Sequence, residues 1–124
     1  MQSYVLVFLG GGLGAAARYW LSGVVHERFG SGFPYGTLVV NIVGCIIIGL
    51  VMGSMQERFL SHPSLRLFLT IGILGGFTTF SSFSYETIAM LRDGEVAYAS
   101  LNVVASLVCC ITGTWIGLVA GKSL

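Results

Sequence analysis

Four stretches free of Asp, Glu, Lys and Arg organise this chain: residues 1–17, 29–56, 67–85 and 96–121, holding 17, 28, 19 and 26 residues. A helix that crosses a bilayer needs about 17 to 25 apolar residues, so each stretch is long enough for one crossing. Composition agrees: 9% of the residues are charged, against roughly a quarter in a soluble domain. Four helices of about 20 residues take up about 80 positions, so the 124 residues are expected to form a single integral membrane domain, 1–124, with nothing left for an extramembrane domain. Nucleic-acid binding and soluble metabolic enzymology fit poorly with that, and a net charge of +1 gives no field to steer acidic partners.

The expected spans are 4–24, 37–55, 65–91 and 96–120. Arg18 lies near enough to the end of the first to snorkel to the interface. The run Gly30-Ser-Gly-Phe-Pro34-Tyr-Gly36 reads as a turn, with Phe33 and Tyr35 as interface anchors. The apolar start followed by Ala15-Ala-Ala17 imitates a cleaved signal peptide, but Met1-Gln-Ser3 carries no basic residue. Cys45, Cys109 and Cys110 all fall inside apolar runs and are expected to be small buried packing residues. His26 and His62 fall in solvated loops.

Positive residues normally set orientation, because cytoplasmic loops are enriched in Lys and Arg. With four spans the count is tied: Arg58, Arg66 and Lys122 fall on one side, Arg18, Arg28 and Arg92 on the other. A chain without preference inserts both ways, and the simplest assembly of two opposite insertions is an antiparallel, dual-topology homodimer.

Glycine supplies 18 residues in a pattern of GxxxG pairs: Gly10/Gly14, Gly49/Gly53, Gly72/Gly76, Gly113/Gly117 and Gly117/Gly121. Small residues at this spacing let helix backbones approach closely in lipid, so a compact bundle follows. Residues 10–15 also match GxGxxG/A, but no alternating βα units surround them, which sets a dinucleotide site aside.

In the third span Gly75-Gly76 precedes two β-branched hydroxyl residues, Thr78-Thr79, and predicts a helix break. A break exposes carbonyls that suit a hard cation such as Na⁺. Beyond it, Phe80, Phe83, Ser84 and Thr87 fall on one helical stripe, and Thr79, Ser82 and Glu86 on another face. Aromatic rings have positive edges and hydroxyls donate, so such a stripe favours an anion without trapping it on a cation. Thr37 and Asn41 stand one turn apart in the second span, and Asn102, Ser106 and Cys110 form an i, i+4, i+8 ladder in the fourth. Amides and hydroxyls rather than charges suit passage rather than storage. Glu86 reads equally as an intramembrane functional acid or as an interface marker near Arg92.

These residues resemble the Fluc (CrcB) fluoride channel family over nearly the whole chain: Gly14-Ala15 with Arg18, Pro34-Tyr-Gly-Thr37-Leu-Val-Val-Asn41, and above all Gly75-Gly-Phe-Thr-Thr-Phe80-Ser-Ser-Phe83-Ser-Tyr-Glu86-Thr. The resemblance implies an all-α protein of the bacterial plasma (inner) membrane with four transmembrane helices per chain, the third broken. It implies an antiparallel dual-topology homodimer with two fluoride pores, and a structural Na⁺ at its centre. By position it puts Phe80, Phe83 and Asn41 in the pore, with Thr37, Ser81, Ser84 and Ser106 on polar lining positions. It gives the Na⁺ carbonyls to Gly75 and Thr78. Asn102 and Cys110 stand where relatives carry Tyr or Ser, and their roles, like those of Arg18 and Glu86, stay open.

Fluoride is small and strongly hydrated, so its path must offer donors that it can also leave. Passive exit lowers cytoplasmic fluoride when it enters as neutral HF and ionises in a more alkaline cytoplasm. A proton-coupled exporter of the small multidrug resistance type is also a short four-span chain, but it needs a carboxylate deep in span one, which is missing here. A non-transporting assembly subunit would leave the hydroxyl ladders without purpose. An enzyme is disfavoured, because His, Cys and carboxylates form no spaced constellation.

Overall fold

The computed structural model describes residues 1–55 and 62–124. Arg58, counted above in the charge tie, lies outside the described residues. Those residues are helical almost throughout: α1 (Gln2–Phe29), α2 (Tyr35–Met55), α3 (Pro63–Leu67), a π-helical stretch (Phe68–Leu74), α4 (Gly75–Phe77), α5 (Phe80–Arg92) and α6 (Val96–Lys122). Among the described residues four stretches are long and apolar enough to cross a membrane: Gln2–Phe29, Tyr35–Ser54, Pro63–Arg92 and Val96–Lys122. Each reaches beyond or close to the limits expected from charge-free runs, because helices continue into polar ends.

The chain reverses where its residues permit. Pro63 opens α3 at a position where a missing N–H costs nothing. Between α5 and α6 the amide of Gly94 donates to the Leu91 carbonyl and that of Glu95 to the Met90 carbonyl. This 5→2 and 6→1 pair is a Schellman closure, and it needs the left-handed residue that Gly94 supplies at φ 80°.

Two tight helix pairs make up the fold. α1 lies along the π-helical stretch and α4, and α2 lies along α6. The glycine pairs set both contacts. A Cβ at Gly14 would collide with the carbonyl oxygen of Ile73, and one at Gly76 with that of Gly11. In the other pair, a Cβ at Gly49 would strike the carbonyl of Thr114, and one at Gly117 that of Ile46. Lipid tails are as apolar as leucine, so backbone proximity and dispersion take the place of the hydrophobic effect here. Few side chains are fully buried, Val40 and Asn102 foremost, and large apolar residues such as Phe8, Trp20, Ile111 and Trp115 face outward.

Four expectations need correction, the first being that for His26, which lies exposed in the last turn of α1 and not in a loop. Arg18 does not snorkel: α1 runs on to Phe29, roughly 16 Å further at 1.5 Å per residue, and the Arg18 Nε donates to the Gly76 carbonyl at 3.1 Å. Phe33 is no outward anchor: it is 7% exposed, because its ring is covered by those of Tyr35 and Tyr98, the latter edge-on with centroids 5.7 Å apart. The cysteines are not fully buried: Cys45 and Cys110 are half-buried and Cys109 is exposed, since α6 presents one face to α2 and turns the others outward.

Candidate functional site

The third crossing leaves helical geometry at two threonines. Thr78 (φ −84°, ψ 156°) and Thr79 (φ −149°, ψ 114°) are both extended, while Gly75–Phe77 before them is helical. The helix therefore stops at the β-branched pair and not at the glycines. Thr79 then caps α5, its Oγ1 accepting from the Ser82 amide at 3.2 Å.

Asn41, on α2, closes the gap. Its Nδ2 donates to the Thr79 carbonyl at 3.0 Å, and its Oδ1 accepts from the Thr79 amide at 2.8 Å. In an unbroken helix the Thr79 amide would serve the Gly75 carbonyl, and the Ser82 amide that of Thr78. Both amides are diverted, so the Gly75 and Thr78 carbonyls lose their helical donors. The neighbouring Gly76 carbonyl is met by Arg18.

A cavity of about 320 Å³ opens beside this junction. Asn41, Phe80, Phe83, Ser106 and Cys110 line it, as do Gly75 and Thr78. The rings of Phe80 and Phe83 lie 5.3 Å apart and tilted by 51°, so their faces do not stack. Phe83 is 9% exposed, whereas Phe80 is 75% exposed on the open side. Asn41 keeps one N–H beyond that given to Thr79.

Thr37 and Glu86 belong to a second cavity, of about 460 Å³, towards the 30–36 turn. There the Thr37 hydroxyl donates to Glu86 Oε1 at 2.6 Å. Asn102, 2% exposed, donates from Nδ2 to Thr87 Oγ1 at 2.9 Å, tying α6 to α5. Thr87 in turn donates to the Phe83 carbonyl at 2.8 Å. Ser81 and Ser84 are exposed on α5 and line neither cavity, though Ser81 Oγ pairs with Thr79 Oγ1 at 3.2 Å.

Comparison with known proteins places the chain. Residues 5–118 match the family described as "CrcB-like protein, Camphor Resistance (CrcB)". The chain belongs to the CrcB-like family. Among its CrcB-like relatives, a protein of Geotalea uraniireducens named "Fluoride-specific ion channel FluC" is 53% identical, over 98% of this chain and 96% of that one. Proteins of the same name from Geobacter sp. strain M21 and Geobacter sulfurreducens are 48% and 49% identical, with both chains covered in full. A CrcB-like chain with four spanning helices is a multi-pass membrane protein.

Of the residues singled out in this CrcB-like sequence, the fold gathers Asn41, Phe80, Phe83, Ser106, Cys110, Gly75 and Thr78 at one cavity, and sends Thr37 and Glu86 to the other. Two contributors escape sequence reading. Thr70, in the π-helical stretch, lines the first cavity, and π turns are common at functional sites. Gly44 lets Thr78 sit against α2, since a Cβ there would collide with the Thr78 methyl. Its signal was an isolated small residue one turn after Asn41.

Proposed function

We propose that this chain is a subunit of a fluoride-specific ion channel that lets cytoplasmic fluoride leave passively, and that fluoride crosses beside Asn41. The two-way bond between Asn41 and Thr79 is the observation that carries the reading. It holds an uncharged amide donor at the helix interruption, next to two tilted phenylalanine rings and the Ser106 hydroxyl. Such a lining replaces water around a small anion with N–H, O–H and ring-edge contacts, none of which carries a charge that would hold it. The names of the relatives point the same way.

The working assembly is an antiparallel, dual-topology homodimer with two pores. Phe80, Ser81, Ser84 and Gly75 are all exposed in the single chain, which supports a second copy completing the wall. Gly75 and Thr78 would hold a structural Na⁺ through their carbonyl oxygens, and the diversion of their helical donors to Asn41 and Thr79 supports that fit. Bound there, the ion would supply positive charge beside the partial negative charge of those carbonyl oxygens.

The test is fluoride efflux from liposomes at fixed pH, followed with a fluoride-selective electrode and compared with chloride. Fluoride loss without chloride loss is expected. Equal loss of both ions, or efflux only under an imposed proton gradient, overturns the reading.

A further inference from the structure

Two thiols line the first cavity from facing helices. Cys45 on α2 faces α6: a Cβ at Gly113 would stand 3.9 Å from the Cys45 Cβ. Cys110 lies three residues before Gly113, on the same face of α6. Both side chains line the cavity with Asn41 and Ser106, one from each of the two helices packed together there. Cys109 is exposed, and adjacent helical residues point about 100° apart, so it does not face this pair.

We propose that Cys45 and Cys110 form a two-sulfur site for a thiophilic, two-coordinate metal ion that bridges α2 and α6 across the cavity. Sulfur ligands select soft, polarisable cations over hard ones. With a divalent ion such as Hg²⁺, two S–metal bonds form as both S–H protons leave, and the bridged product is neutral. A monovalent soft ion displaces one proton and takes a lone pair from the remaining thiol, which is again neutral. A cavity with no formal charge in its lining tolerates a neutral complex far better than a charged one. Hard ions such as Na⁺ gain nothing from these sulfurs.

Hg²⁺ is the probe. Purified, reduced protein is given the metal, then an excess of a competing monothiol, and its intact mass is read after sizing has shown that each variant remains folded. Two thiols held together outcompete single ones through their effective concentration. The wild-type and Cys109→Ser chains should each retain one mercury, and Cys45→Ser and Cys110→Ser should retain none. Retention by either of the latter, loss in Cys109→Ser, or no retention by the wild type overturns the site.

The consequence for transport rests on the channel reading: Hg²⁺ should reduce wild-type and Cys109→Ser fluoride efflux to the leak of protein-free liposomes, and leave Cys45→Ser and Cys110→Ser at their own untreated rates. Metal retained with efflux unaltered removes the pair from the ion path while the site stands. Absent efflux from untreated wild type sinks the channel reading, and the mass measurement still judges the site.

Discussion

Asn41 and Thr79 stand 38 positions apart and share two hydrogen bonds of opposite direction, the side-chain amide of one matched to the backbone amide and carbonyl of the other. One side chain thus replaces the backbone partners that a broken helix would otherwise lack, which membranes demand. The same amide faces the cavity, so structure and transport depend on one residue.

Asn41→Ala should therefore lose both. Two bonds at about 1 kcal/mol each predict a stability loss of roughly 2 kcal/mol, and fluoride efflux should fall steeply. Cys109→Ser, which touches neither bond, is the control. Unfolding in mixed micelles and electrode-monitored efflux check the two expectations, and undiminished efflux from Asn41→Ala would remove it from the path.

Phe80 and Phe83 differ in burial, and their variants should differ accordingly. Phe83 is packed within the chain while Phe80 is exposed. Phe83→Ala is expected to cost about 3 to 5 kcal/mol through the cavity it leaves, and Phe80→Ala much less in the isolated chain. Phe→Ile at either position keeps most of the volume, costing under about 1.5 kcal/mol, but removes the positive ring edge. Efflux should drop sharply in both Ile variants. Intact efflux would mean that the rings only pack.

The glycine contacts make a stability prediction with an internal control. Gly14→Ala and Gly49→Ala drive a methyl into backbone carbonyls that cannot swing aside, and overpacking of this kind typically costs about 1 to 3 kcal/mol. Gly12→Ala meets nothing within 4 Å and should be neutral, or stabilising by up to about 1 kcal/mol through helix propensity. Thermal unfolding of the three variants in one detergent checks the order.

The near-even division of the basic residues between the two sides, which persists with Arg18 held inside the fold, gives a topology prediction. Two lysines added within 57–66 should force one orientation, and such protein should conduct no fluoride alone. Co-expression with a copy biased by lysines within 27–31 should restore fluoride resistance in cells. Full activity from one biased copy would rule out the antiparallel pair.

The amino-acid order alone determined the four crossings, because a bilayer admits little besides apolar helices of this length. It also marked the small residues whose backbones are free to touch. Periodicity shows which face of a helix is small or polar but not which helix will meet it. Only the tertiary structure paired Gly14 with Ile73 and Gly49 with Thr114. It alone turned Arg18 from an interface residue into a donor to Gly76, across 58 positions of sequence. It parted Thr37 from Asn41 as well: one turn separates them on α2, yet Glu86 takes the first and Thr79 the second. Each of these is a hydrogen bond or close approach between helices, and its energy exists only once two distant segments have come within about 3 Å of each other.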